Sequence, residues 1–447
     1  MPSRRRSGQR GRAGVPHPGL SHPGSLRPGT TPDLSVRRTS LHNGLTVVSE
    51  TMPSVRSVAL GVWVRRSSVH ERPEEMGISH FLEHMVFKGT ERRSARDIAM
   101  SLESLGGSLD AFTAREHTSF QARVLDEHLP AAADVLGDMV FRPALRDSDL
   151  QLERRVVLEE ISMVEDTPDD LVFELHNEAL WGSHPYGYQI LGTRDTVGSI
   201  DLARLRALHD VAYRPRHMVI AAAGRVQHDE LIDTLRETGW EAMNGGGEGV
   251  PGVPYPALVP PSRRHVERES QQLQIVMGCP TIAYGDPRRY VLTLASLILG
   301  GGMSSRLFQR VREELGLAYS VHTFQSYHRD SGMHGVYAGT SPENGDRAMQ
   351  EISHQLDLVA REGFPDGEIA SGKNQLKGQL TLSLESPSSR MFRLATAELY
   401  HEPWLPLDET LARIEAITAD DVAEACHEFL APERQTILTL GRAGLAP

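Results

Sequence analysis

A stretch rich in glycine and proline at residues 244–262 divides this chain of 447 residues into two long parts. Glycine gives the backbone high conformational freedom and proline removes a backbone hydrogen-bond donor. Such a stretch therefore does not continue a helix or a strand. It is expected to be a linker. The parts on either side, residues 36–243 and 263–447, are each long enough to enclose a hydrophobic core. We predict two domains.

Both parts repeat one order of predicted elements: a strand, then two helices, then two strands, then further helices. In the first part the strand is predicted at Ser57–Val64, the second helix at 94–105 and the two strands within 108–124. In the second part a strand is predicted at 272–278, helices at 288–299 and 304–315, strands at 317–326 and 333–339, and helices at 342–361 and 366–384. Helices beside antiparallel hairpins predict an α+β fold of two homologous domains, each an antiparallel sheet flanked by helices.

The composition argues against several classes of partner and site. A formal net charge of −12 argues against nucleic acid and anionic membrane surfaces as partners. No run of about 18 apolar residues is present, so no membrane span is expected. The two cysteines, Cys279 and Cys426, provide neither a disulfide framework nor a cysteine-based zinc site. A reducing compartment is therefore expected, a bacterial type of cytoplasm rather than a mitochondrial matrix.

Residues 1–35 have a composition of their own, rich in arginine, glycine and proline and almost free of acidic residues. Arginine without acidic residues is superficially like a mitochondrial presequence. Glycine and proline, however, disfavour the amphipathic helix that import requires. We expect a disordered basic extension, or a start codon assigned too early, and leave the segment out of the fold.

The five residues His80-Phe-Leu-Glu-His84 carry the chemistry of the first part. On a helix, His80 and His84 lie on the same face one turn apart, and two neutral imidazoles in that arrangement can bind one Zn²⁺. Glu83 lies beside them as a candidate base for a metal-activated water, which would hydrolyse peptide bonds. The alternative is a helix with two surface histidines and a solvated glutamate. The apolar surroundings, residues 76–87, argue against it.

A catalytic zinc site needs a third protein ligand, and residues 150–165 are the best source. Apolar residues recur there at helical spacing, which predicts a long amphipathic helix. It offers four carboxylates, and Glu153 and Glu160, seven residues apart, share one face. Spacing alone does not choose among the four, which are Glu153, Glu159, Glu160 and Glu165.

The segment from Gly77 to Thr90 resembles the zinc motif of the pitrilysin/insulinase-type metallopeptidases, the inverzincins, and most closely that of the mitochondrial processing peptidase β-subunit and its bacterial relatives. The resemblance implies one Zn²⁺ per chain, held by His80, His84 and a glutamate about 75 residues further on. That glutamate corresponds to Glu160. The family's accessory glutamate, seven residues earlier, corresponds to Glu153, which would support the catalytic site.

A second match lies in the other part, where residues 299–320 resemble the segment that completes the active site in this family. The arginine and tyrosine that contact substrate correspond to Arg312 and Tyr319, and Tyr319 would donate a hydrogen bond to the oxyanion. The alternative for Tyr319 is an aromatic residue packed in the core. The resemblance also implies two similar domains that face each other and enclose a cavity.

One position departs from the family pattern. Residues 106–113 match a segment in which the family has Asn before Ala, and that Asn is expected to hydrogen-bond the substrate backbone. This chain has Asp110 there, and an ionised carboxylate accepts hydrogen bonds but does not donate them. Substrate binding at that edge is therefore in question.

The function expected from these motifs is that of a zinc-dependent endopeptidase acting on peptides or on unfolded, presequence-like segments, with Glu83 as general base. The alternative is a non-catalytic or partner-dependent subunit of a heterodimeric processing peptidase, or a scaffold like the core proteins of a respiratory complex. A homodimer, or a heterodimer with a homologous subunit, is compatible with either function.

Overall fold

The computed structural model describes residues 35–442, so almost all of the predicted basic extension lies outside the described residues. The first sheet has six strands: β1 (Val36–Ser40), β2 (Thr46–Thr51), β3 (Ser57–Val64), β4 (Ser108–Thr113), β5 (Thr118–Leu125) and β6 (Met218–Gly224). Their order is β1-β2-β6-β3-β5-β4. Neighbouring strands are antiparallel except β2 and β6, which are parallel.

Eight helices belong to this part of the chain: α1 (Ile78–Val86), α2 (Ala95–Glu103), α3 (Leu129–Phe141), α4 (Asp147–Asp166), α5 (Pro168–Trp181), α6 (Arg194–Ser199), α7 (Leu202–Ala212) and α8 (His228–Glu237). One face of the sheet and the helices on it share a single large core. Phe81, Leu82 and Met85 of α1 are fully buried in it, next to Phe120 of β5. This packing fixes α1 against the sheet.

The second sheet has five strands: β7 (Arg263–Glu267), β8 (Leu273–Thr281), β9 (Ala318–Tyr327), β10 (Gly332–Thr340) and β11 (Thr436–Gly441). Their order is β7-β11-β8-β10-β9, and only β7 and β11 are parallel. The helices here are α9 (Arg289–Gly300), α10 (Gly345–Glu362), α11 (Asp366–Ser383), α12 (Pro387–Leu399), α13 (Leu407–Ala416) and α14 (Ala419–Phe429), with a π-helical segment at Phe308–Glu314.

The predicted mixture of helices and sheets, with two sheets, is confirmed. Each sheet is antiparallel except for one parallel pair, because a strand from the end of each part, β6 or β11, inserts beside the first strands. Residues 244–262 contain neither helix nor strand. The exact limits of the two domains stay a prediction. Within residues 35–442, no helix has both the length and the apolar character to cross a membrane.

The two parts exchange helices. The second face of the first sheet is covered by α12, whose Met391, Leu394 and Ala395 pack in one cluster with Trp63. The second face of the other sheet is covered by α5, and the ring of Phe173 lies 5.0 Å from that of Phe324. Each sheet therefore has one face that is covered by a helix from the other part of the chain.

Candidate metal centre

Helix α1 begins at a turn that only glycine suits. Gly77 has φ +89°, and a Cβ at this position would lie 2.5 Å from the carbonyl oxygen of Leu191. The buried carboxylate of Glu71 accepts hydrogen bonds from the backbone N–H groups of Gly77 (2.9 Å) and Ser79 (2.8 Å), which are free at a helix start. Burial raises the pKa of Glu71 to about 7.

The two histidines of α1 point away from its buried face. The ring centroids of His80 and His84 are 4.6 Å apart, as expected one turn apart on a helix. Burial, and then the neighbouring His84, lower the pKa of His80 to about 3. His80 is therefore neutral at physiological pH, and a neutral imidazole has the nitrogen lone pair that a metal ion needs.

Helix α4 brings Glu160 to both histidines. Its Oε2 atom lies 3.7 Å from Nε2 of His80 and 3.5 Å from Nε2 of His84. One donor atom from each of the three residues lies within 4.8 Å of the others, and no other such group of metal-binding side chains is found among residues 35–442. Glu160 Oε2 is buried and has no hydrogen-bond partner. A cation would satisfy this oxygen, so the donor set fits a metal ion.

The geometry distinguishes the four glutamates that spacing left open. Glu159 is exposed, and Glu165 is paired with Arg194, whose Nε lies 3.2 Å from Oε2. Glu153 is buried and is turned towards His84, with Oε2 3.2 Å from Nδ1. Only Glu160 approaches both imidazole Nε2 atoms.

Glu83 lies beside the cluster without joining it. The residue is 9% exposed, and burial raises the pKa of its carboxyl group. The hydroxyl of Thr113, at the end of β4, donates a hydrogen bond of 2.5 Å to Oε2. A carboxyl with a raised pKa next to a metal site is suited to exchange protons with water.

Arg312 and Tyr319 lie together in the second part of the chain. The Arg312 guanidinium is 5.1 Å from the Tyr319 ring centroid, and both line an open cavity of about 620 Å³ with Gln272 and Asn344. Tyr319 is 75% exposed, so it is not a core aromatic. Within residues 35–442, neither residue has a hydrogen bond or ion pair to His80, Glu83, His84 or Glu160. Their predicted role at the reacting carbonyl stays a prediction.

Asp110 lies on β4, an edge strand of the first sheet. It is exposed, and its Oδ1 accepts a hydrogen bond of 2.9 Å from the backbone N–H of Ala111. The outer edge of β4 pairs with no strand of the described chain, which leaves its backbone groups open to an extended peptide.

Three residues of the site were not predicted as such. Lys88, two residues after the end of α1, has its Nζ 2.7 Å from Oε1 of Glu153. Thr113 ends the segment that contains Asp110. Glu71, whose carboxylate accepts hydrogen bonds at the start of α1, lies in no motif that would identify it. Lys88 and Thr113 both lie inside the motif segments, residues 77–90 and 106–113, and their polar side chains are the signal that could have identified them.

Two family profiles match the chain. The profile described as insulinase (peptidase family M16) matches residues 46–194, and the profile described as peptidase M16 inactive domain matches residues 199–376. Together they cover most of the chain.

Bacterial relatives match over nearly their whole length. An uncharacterized zinc protease of Streptomyces coelicolor is 40% identical over 405 residues, 89% of this chain and 87% of the relative. The uncharacterized zinc protease YmxG of Bacillus subtilis is 40% identical over 388 residues, 87% of this chain and 94% of YmxG.

Solved structures share the fold. A structure described as peptidase M16 inactive domain from Pseudomonas fluorescens has a TM-score of 0.86 at 21% identity, covering 93% of this chain and 99% of that one. A protease from Helicobacter pylori has a TM-score of 0.86 at 20% identity, covering 91% and 99%. The profiles, the relatives and the fold lead to one conclusion: the chain belongs to peptidase family M16, the insulinase-type zinc metallopeptidases.

Proposed function

We propose that this chain is a zinc-dependent endopeptidase that hydrolyses peptides or unfolded, presequence-like segments. One Zn²⁺ per chain is held by His80, His84 and Glu160. The observation that carries the proposal is the buried Oε2 of Glu160, which has no hydrogen-bond partner and lies between two imidazole nitrogens. Relatives at 40% identity that bear the name zinc protease support the choice of metal.

When bound with three protein ligands, zinc acts as a Lewis acid that activates water and polarises a carbonyl group. Glu83 takes the proton from the attacking water while the oxygen–carbon bond forms. It then delivers that proton to the amine as the carbon–nitrogen bond breaks. Burial suits Glu83 to this exchange, because it brings the carboxyl pKa closer to neutral pH.

Substrate binding is assigned to two surfaces. The open edge of β4, with Asp110, accepts an extended peptide as an additional strand, which tolerates many side chains. Arg312 anchors a substrate carbonyl or carboxylate, and Tyr319 donates a hydrogen bond to the oxyanion. The exposure of Tyr319 and the cavity that it lines together with Arg312 support a role in binding peptide.

The test is to purify the chain alone, as wild type and as Glu83→Gln, and to measure bound zinc together with cleavage of an unstructured, arginine-containing peptide library. Glu159→Gln, on the exposed face of α4, is the matched control. We expect about one zinc per chain in all three proteins, and cleavage by wild type and Glu159→Gln only. Zinc binding without cleavage by any of them would favour the partner-dependent or non-catalytic alternative.

A further inference from the structure

The base Glu83 is held by a chain of three hydroxyl groups that leads from the half-buried Thr113 to the buried Thr118 and Ser67. Thr113 Oγ1 is 2.5 Å from Glu83 Oε2 and 3.4 Å from Thr118 Oγ1. Thr118 Oγ1 is in turn 3.1 Å from Ser67 Oγ, which donates a hydrogen bond of 2.8 Å to the carbonyl oxygen of Ala114. Ser67 and Thr118 are both fully buried, so water does not compete for the contact between them, whereas Thr113 is half-buried.

The proton directions follow from the inventory of donors. A carbonyl oxygen only accepts, so the single proton of Ser67 is used on Ala114. Ser67 can then only accept from Thr118, which uses the single proton of Thr118. Thr118 can then only accept from Thr113, but a short hydrogen bond to a carboxylate is stronger than a 3.4 Å contact to a hydroxyl, so Thr113 donates its proton to Glu83.

The two carboxylate oxygens of Glu83 therefore differ in their hydrogen bonding. Oε2 is occupied by Thr113, whereas Oε1 has no hydrogen-bond partner among residues 35–442. A glutamate side chain has three rotatable bonds, and an unconstrained carboxylate would sample several orientations. The hydrogen bond to Thr113 restricts it to one, with Oε1 free to meet water.

We infer that Thr113 is a positioning residue that fixes the orientation of the base Glu83 through its short hydrogen bond to Oε2. The inference rests on the proposed function, because it requires Glu83 to be the base. Thr113 lies on the same strand as Asp110, so the edge that accepts the peptide and the group that orients the base belong to one element.

The experiment compares Thr113→Val, which keeps the shape but removes the hydroxyl, with Thr113→Ser, which keeps the hydroxyl. Thr51→Val, which removes a buried-strand hydroxyl bonded to the Val226 carbonyl, is the matched control. We expect all variants to bind zinc like wild type. Thr113→Val should lower kcat roughly ten- to a hundredfold with KM within about twofold. Thr113→Ser and Thr51→Val should stay within about threefold of wild type.

Equal kcat in Thr113→Val and wild type would overturn the inference, as would a loss in Thr113→Ser as large as in Thr113→Val. Loss of zinc from Thr113→Val would show a structural role instead. Crystal structures of wild type and Thr113→Val give a readout that does not depend on activity. If wild type cleaves no peptide, the proposed function fails, and an unchanged Glu83 side chain in Thr113→Val would then reject the positioning role by itself.

Discussion

Nδ1 of His84 lies 3.2 Å from Oε2 of Glu153, a carboxylate that is itself buried and paired through its other oxygen with Lys88. The contact holds the imidazole ring so that Nε2 faces Glu160, and it makes the ring a more basic ligand. In the proposed zinc site, a carboxylate that is not itself a ligand thereby sets the orientation of His84, which is one.

Replacing Glu153 by alanine should therefore weaken zinc binding by about ten- to a hundredfold. Glu153→Gln should lose less, because the amide oxygen still accepts from Nδ1–H. Competition with a chromogenic chelator measures both affinities. Glu159→Ala on the exposed face of the same helix is the control. Equal affinity in Glu153→Ala and wild type would contradict a role for this contact.

The choice of third ligand is tested by glutamine substitutions on α4. Glu160→Gln should lower zinc affinity by roughly a hundredfold or more, because it replaces a charged carboxylate ligand with a neutral amide, which binds zinc poorly. Glu159→Gln should leave affinity unchanged, although the two positions are adjacent. Metal analysis after dialysis against buffered zinc distinguishes them. Retention of a full zinc equivalent by Glu160→Gln would exclude Glu160 as a ligand.

Acid should destabilise the fold through its buried histidines. Burial lowers the pKa of His334 to about 4, whereas the unfolded chain has the ordinary value near 6.5. Below pH 6.5 the unfolded state binds a proton that the folded state does not, so the free energy of unfolding falls until about pH 4. The loss from this residue amounts to as much as about 3 kcal/mol.

Urea unfolding between pH 7.5 and 4.5 checks this sign. His334→Leu removes the titrating group and a buried Nε2 that has no hydrogen-bond partner. Its free energy of unfolding should therefore fall less with acid than that of wild type, and the difference should be comparable to the loss assigned to His334. Parallel curves for the two proteins would mean that His334 takes up its proton equally in both states.

The exchanged helices predict that the first part of the chain does not fold alone. A fragment of residues 36–243 lacks α12, so Trp63, 1% exposed in the whole chain, would lie on an open apolar face. It should aggregate when expressed by itself. Expressed together with residues 244–447, it should form a complex of one copy each, which size-exclusion chromatography with light scattering detects. A monodisperse, folded fragment would refute the prediction.

Asp110→Asn should raise kcat/KM for neutral peptides by a few-fold. The amide donates a hydrogen bond to the substrate backbone where a carboxylate cannot. Steady-state kinetics on one uncharged peptide are sufficient. Asp210→Asn, an exposed position on α7, serves as the control. A fall in kcat/KM would show that the carboxylate contributes to binding.

Local patterns predicted α1 and α4, the two helices that carry the candidate metal ligands, well. The predicted helix at 150–165 corresponds to α4, and residues 76–87 contain α1, because apolar spacing reports directly which face of a helix is buried. The predicted helix at 304–315 contains a π-helical turn at Phe308–Glu314. Spacing of apolar residues does not distinguish this variant over so short a segment.

Longer-range features were beyond the sequence patterns. The amphipathic character of α12 predicts a buried face but not that the face covers the sheet of the other part. The contact from Lys88 to Glu153 joins residues 65 apart (153 − 88), and that from Thr113 to Glu83 joins residues 30 apart. Such contacts depend on how elements pack, which residue spacing along one helix or strand does not encode.

The position of α12 in the chain has a consequence for synthesis on the ribosome. The last strand of the first sheet ends at Gly224, whereas the helix that covers its second face ends at Leu399, roughly 175 residues later (399 − 224). At a synthesis rate of about 5 to 20 residues per second, one apolar face of this sheet stays uncovered for about 9 to 35 seconds. The nascent chain therefore offers chaperones a long interval for binding, and the first part becomes native only after α12 has been synthesised.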